Sequence, residues 1–132
     1  MAPSFLEGRG AAVLYVKDVA KVAAFYEHVV GLEPTEVDEG YVVLSSPGMD
    51  LVVVQMRPEV ADGVEISDPP QAREDTPIKL VFGVPSLAGA RESAPSFGAK
   101  LRPPEREWEF HGRRVCDGVA PEGNVVQLGE AI

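Results

Sequence analysis

The sequence predicts an α+β fold built of two tandem βαβββ modules that form a cupped mixed sheet with the helices outside. Three observations lead there. A short apolar run of β-formers is followed by a capped helix with one apolar stripe. Strand-like segments separated by glycine and proline turns come next. The same order then returns after about 68 residues, an internal repeat.

Ala11 to Val16 (AAVLYV) reads as the first strand. Asp18 follows as an N-cap, because its short carboxylate can accept the free N–H groups of a first helical turn. Val19, Val22, Ala23, Tyr26, Val29 and Val30 then fall at helical spacing on one face. Gly31 ends the helix as a residue free to turn left-handed. Tyr26 and the neighbouring Phe25 are expected to pack in the core. Glu33 to Asp38, Tyr41 to Ser46 and Asp50 to Met56 read as three strands, divided by Glu39-Gly40 and Pro47-Gly48. The facing of Tyr41 and Phe82, whether toward the cup or its back, is left open by the pattern.

The stretch from Arg57 to Pro77 has no periodicity and carries six acids and two arginines, Arg57 and Arg73. It reads as a solvated linker or long loop. Ile78 to Val84 then repeats the opening strand, Ser86 repeats the cap, and Leu87, Ala90, Ala94 and Phe97 repeat the stripe before Gly98. Pro95 should kink or stop this second helix near Ala94, since proline lacks an N–H and clashes with the preceding turn. Strands are expected at Lys100 to Arg102, at about Trp108 to Asp117 and at Asn124 to Leu128. The expected organisation is one domain over 1–132, made of a module at 11–57, a linker at 58–77 and a module at 78–130. Neither module can bury both faces of its sheet alone, so the two should share a concavity.

The chain has 132 residues with Lys+Arg 12 against Asp+Glu 21, a net charge of -9. Clustered cations for phosphate neutralisation are missing, so no nucleic acid is expected as a partner. No run approaches the roughly 20 apolar residues of a membrane span. A single cysteine, Cys116, excludes an intramolecular disulfide and any Cys-x-x-Cys metal or redox site. It reads as a small core residue, and a cytoplasmic location is the expectation. Neither Gly-x-Gly-x-x-Gly, a Walker loop, Gly-x-Ser-x-Gly nor His-Glu-x-x-His occurs.

Two segments carry a family resemblance. LYVKDVAKVAAFYEHVVGLEP (residues 14–34) resembles the opening strand and helix of the vicinal oxygen chelate superfamily, the glyoxalase, bleomycin-resistance and extradiol-dioxygenase group. GRRVCDGVAPEGNVVQLGE (residues 112–130) resembles its closing hairpin, in which an Asp-Pro-(Asp/Glu)-Gly-Asn turn precedes two apolar residues and a glutamate. The resemblance implies a metal centre held by four side chains, two per module. Carried over residue by residue, those positions are Ala11, Gln55, Lys79 and Gln127. Alanine has no donor atom, lysine presents a cation, and two amides are poor ligands for zinc, iron or a hard cation. No metal and no cofactor are therefore expected. The other nitrogen and sulfur candidates read otherwise: His28 as a solvated helix residue, His111 as a turn residue beside Gly112.

Without a metal, the resemblance places Gln55, Lys79 and Gln127 together in the cup, where two amides and an ammonium could orient a ligand or simply bind one another and water. Trp108 and Phe110 should share one strand face, with Glu109 on the other, and either stack on a ligand or pack. Arg113 and Arg114 point to opposite faces, so one could reach a ligand anion. The function expected is that of a metal-free small-molecule-binding protein of the bleomycin-resistance type, a homodimer sequestering a hydrophobic or cationic metabolite or antibiotic. The alternative is a glyoxalase- or dioxygenase-like enzyme: an isomerase, lyase or thiol transferase. It would use a metal through a different ligand set, or Lys79 or His111 as acid or base. A third possibility, an interaction protein without a small-molecule site, would fill its cup with bulky side chains.

Overall fold

A computed structural model describes Phe5 and residues 8–132. β1 (Gly10–Val16) leads into α1 (Val19–Phe25), which widens into a π turn over Tyr26–Val30. The predicted caps are in place: the Asp18 carboxylate accepts from the Lys21 N–H at 3.1 Å, and Gly31 closes the helix at φ 92°. β2 (Glu33–Val37), β3 (Tyr41–Ser45) and β4 (Met49–Gln55) follow, and the sheet order is β1-β4-β3-β2 with β1 parallel to β4. The aperiodic stretch opens with a short helix, α2 (Pro58–Ala61), started by a proline that has no N–H to lose there.

The second half repeats the plan. β5 (Leu80–Gly83) runs into α3 (Leu87–Ser93), where the Ser86 hydroxyl accepts from Gly89 N–H at 3.0 Å. At Ala94 the helix tightens into a 3-10 turn through Phe97 and stops at Gly98, φ 75°, as Pro95 requires. β6 (Lys100–Leu101), β7 (Trp108–Phe110), β8 (Arg113–Val119) and β9 (Val125–Ala131) complete a second sheet ordered β5-β9-β8-β6, with β7 beside β8. The mixed sheet of the α+β fold is thus divided in two. The single strand expected over Trp108 to Asp117 is a hairpin instead. His111 (φ 49°) and Gly112 (φ 74°) both adopt left-handed backbone, the geometry of a two-residue turn whose twist matches its strands. The turn expected at His111 beside Gly112 is thus a full reversal, and it shifts the side-chain parity, so that Trp108 and Phe110 share a face with Val115 and Arg113.

Period-two alternation places Val16, Leu44, Leu51 and Val53 of the first sheet, and Phe82, Cys116, Val126 and Leu128 of the second, against the helices, all of them buried. The two halves share one core. Tyr26 of the first meets Phe82 of the second edge-on at 5.7 Å between ring centroids, and it packs the same way on Phe25 at 4.9 Å. A polar staple reinforces the joint: the buried Glu122 carboxylate, in the turn between β8 and β9, accepts from the backbone N–H groups of Lys17 (2.8 and 3.0 Å) and Asp18 (2.8 Å).

Candidate functional site

The helix-free faces carry the polar chemistry. On the second sheet Val81 pairs with Gln127, and Gln127 pairs with Asp117, so the three stand in one row across β5, β9 and β8. Lys79, two residues before Val81, shares that face by strand parity. Its ammonium lies 3.1 and 3.3 Å from the Asp117 carboxylate oxygens, and the Gln127 amide donates to Asp117 Oδ1 at 3.3 Å. The Lys79 and Asp117 side chains are 40% and 22% exposed, so the ion pair is partly wet rather than sealed in an apolar cup. Gln127 uses one amide hydrogen on Asp117 and keeps its carbonyl oxygen for another partner.

Two cavities flank this cluster. One, of about 310 Å³, opens beside Lys79 and Asp117 and includes Arg73 and Arg102 in its wall. The other, of about 340 Å³, is lined by Val81, Phe110, His111, Arg113, Val115 and Gln127 among others. Gly83 and Gly129 pair at its floor, and the Arg113 side chain lies over both. A Cβ at Gly129 would come within 3.1 Å of Val115 and 3.6 Å of Arg113, so bare backbone there lets the guanidinium stem lie flat. Both cavities are open beside these side chains.

The structure brings together Lys79, Gln127, Phe110, His111 and Arg113 of the predicted set. Phe110 pairs with Arg113 and Trp108 with Val115, so both aromatics face the cavity side, 58% and 40% exposed. The Phe110 ring meets His111 edge-on at 4.4 Å, whereas Trp108 lines neither cavity. Gln55 does not join them. It shares parity with the buried Leu51 and Val53, so it sits on the helix side of β4, and its amide donates to the Lys17 carbonyl at 3.0 Å, at the entry to α1. By the repeat, its counterpart is Glu130, whose carboxylate accepts from Leu87 N–H at 2.9 Å at the entry to α3. The residue of β4 that corresponds to Gln127 is Val52, paired with Val13 as Gln127 pairs with Val81.

Asp117 is the residue that sequence reasoning missed. Its signal was a lone carboxylate between apolar strand residues, which needs a partner wherever it is not fully wet. Cys116 is fully buried, with its thiol 3.4 Å from the Arg102 carbonyl, as a core residue. His28 is exposed and stacks on Phe97 at 5.0 Å.

The first sheet's open face contrasts with the second. A cavity of about 610 Å³ there is bounded by Phe5, Thr35, Tyr41, Val43, Ser45, Val52 and Val54, with Glu36 at its edge. Tyr41 donates to the Glu36 carboxylate at 2.5 Å, and that bond pushes the phenol up to about 12. The positions that would supply metal ligands are Ala11, Val52, Lys79 and Gln127. Two carboxylates stand beside them: Asp117, already engaged by Lys79 and Gln127, and the buried Asp50, which pairs with Ala11 across β1 and β4 and is held by Arg9 and the Ser45 hydroxyl. Among the described residues no group of three or more His, Cys, Asp or Glu could hold a metal ion. This donor set does not fit a divalent metal.

No protein-family model matches the chain, and no curated protein does. Solved structures do. A glyoxalase/bleomycin resistance protein/dioxygenase family enzyme from Burkholderia phytofirmans PsJN matches with a TM-score of 0.67 at 17% identity, over 92% of this chain and 97% of that one. A glyoxalase-related enzyme from Fulvimarina pelagi gives 0.66 at 18% identity, over 95% and 88%. The fosfomycin resistance protein FosX from Listeria monocytogenes gives 0.63 at 16% identity, over 97% and 96%. Superposition on these proteins over 92–97% of this chain gives it the fold of the glyoxalase, bleomycin-resistance and dioxygenase proteins, the vicinal oxygen chelate fold.

Proposed function

We propose that the protein is a metal-free small-molecule-binding protein of the glyoxalase/bleomycin-resistance type, with its polar subsite at Lys79, Asp117 and Gln127. The observation that carries this reading is the Lys79–Asp117–Gln127 cluster, hydrogen-bonded internally where a chelating set would stand and flanked by open cavities. Gln127 Oε1 and the Arg113 guanidinium supply one acceptor and several donors beside an apolar wall of Val81, Phe110 and Val115. That lining favours a hydrophobic ligand bearing hydrogen-bond acceptors. A cationic metabolite would meet Arg113 and Lys79 first and is disfavoured.

The open faces also support a homodimer. Val13, Tyr15, Val81 and Phe110 are between 50% and 65% exposed on them, and a second copy laid across would remove that apolar surface from water. No helix among the described residues is long and apolar enough to cross a membrane.

Metal analysis of dialysed protein, before and after incubation with excess zinc, nickel, manganese and ferrous iron, tests the first claim. Substoichiometric metal after re-dialysis is expected, and near-stoichiometric retention would overturn it. A thermal-shift screen of neutral aromatic and cationic compounds tests the second claim, with stabilisation expected from the neutral set and lost in Gln127→Ala. Equal stabilisation of that variant would move the ligand elsewhere.

A further inference from the structure

Between the outer edges of β1 and β5, at the seam of the two halves, lies a cavity of about 420 Å³ whose wall is mainly apolar. Ala12 and Leu14 form one side, Ile78 and Leu80 the other, and Tyr26 lies beneath. The Tyr26 side chain is fully buried, and its hydroxyl has no hydrogen-bond partner among the described residues. Packing does not require that oxygen, because the ring contacts to Phe25 and Phe82 would be made equally by phenylalanine. A buried hydroxyl left unbonded is destabilising, and this one belongs to a residue just beneath the lining of a cavity large enough for a small molecule. Burial also pushes the Tyr26 phenol well above its usual range, which keeps the proton on and the group a donor throughout the physiological range. Asn124, half-buried, also lines the cavity.

We infer that this seam cavity is a second small-molecule site, for a compact, mainly apolar ligand that presents a carbonyl or ether oxygen to the Tyr26 hydroxyl. It goes beyond the subsite at Lys79, Asp117 and Gln127 and needs none of those side chains. Residues 76–78 and Val125 wall both this cavity and the one beside Lys79, so the two sites are neighbours through one strand entry.

The test uses two probes of the same shape, acetophenone and α-methylstyrene, which differ by the carbonyl oxygen. Backbone amide shifts of the full chain are followed by NMR titration. Saturable shifts are expected at Ala12, Leu14, Leu80 and Val126, with acetophenone binding about fivefold more tightly, the ratio one neutral hydrogen bond supplies. In Tyr26→Phe that preference should vanish while α-methylstyrene still binds. Ala12→Leu, which fills the cavity, should abolish binding of both probes. Absence of saturable shifts at these amides in the wild type would overturn the inference, leaving a water as the partner of Tyr26. An undiminished ketone preference in Tyr26→Phe would overturn it too. Gln127→Ala should leave these titrations unchanged, which separates this site from the other.

Discussion

Glu122 offers the most direct test of how the two halves are joined. Its carboxylate makes three contacts of 2.8 to 3.0 Å to two backbone N–H groups that α1 cannot satisfy, because they precede its first turn. Glu122→Ala would leave both without an acceptor. At roughly 1–3 kcal/mol for each unsatisfied buried donor the loss could reach about 6 kcal/mol, but Lys17 and Asp18 are exposed, so water can enter and about 3 kcal/mol is expected. For a 132-residue chain this lowers Tm by about 10 °C. Glu122 also holds a left-handed backbone at φ 71°, which glycine adopts without steric penalty. Glu122→Gly should therefore be more stable than Glu122→Ala by about 1 kcal/mol, although it removes the same carboxylate. Urea unfolding, followed by far-UV circular dichroism and by the fluorescence of the single tryptophan, Trp108, measures both differences. An alanine variant within 0.5 kcal/mol of wild type, roughly the scatter of a neutral surface change, would refute the staple. An alanine variant more stable than the glycine one would refute the backbone argument.

Three further outcomes follow from the geometry. Tyr41 should ionise near 12 by ultraviolet difference titration, and Glu36→Gln should bring it back toward 10. Since the folded-state value is the raised one, any stability from this bond is complete below about pH 10 and is lost as pH rises through 12. Asp117→Asn should change stability by less than about 1 kcal/mol, because the ion pair with Lys79 is partly exposed, yet amine labelling mapped by mass spectrometry should rise selectively at Lys79. Unchanged labelling would mean that the pair does not persist in solution. Cys116, fully buried, should react with a disulfide reagent only at the rate of unfolding, so a fast reaction in native buffer would place the thiol outside the core.

What the sequence disclosed follows the physics of each signal. The stripe from Val19 to Val30, the caps at Asp18 and Ser86 and the left-handed glycines 31 and 98 are local devices, readable from a few residues, and each stands where predicted. The break at Pro95 is of the same kind. A turn at His111 beside Gly112 was legible from its residues, but the tight reversal there was not, nor the parity shift that sets Phe110 on the face of Arg113. Site geometry is non-local: Lys79 and Asp117 lie 38 positions apart, and only the register of β5, β9 and β8 joins them through Gln127. Asp117 could be noticed as an unusual carboxylate, but its partner could not be named from spacing.

Gln55 shows why polarity at a strand end misleads. Any strand that feeds directly into a helix leaves backbone groups at the helix entry in need of partners, and the neighbouring parallel strand ends beside them. The first half meets that need with Gln55 on the Lys17 carbonyl, and the second half meets it with Glu130 on the Leu87 N–H. The requirement is architectural and holds whatever the protein binds. Positions on the open face are under no such constraint, and there the halves diverge: Ala11 stands against Lys79, and Val52 against Gln127. At these two positions the second sheet is polar, while the open face of the first sets Val13, Tyr15, Val52 and Val54 beside Thr35, Tyr41, Ser45 and the buried Asp50. A ligand held on the proposed reading would set its acceptor against the second sheet and its apolar body away from it. Substitutions at Gln127 should then alter which compounds bind, and substitutions at Val52 chiefly how tightly, since apolar contact scales with area and carries little directional information.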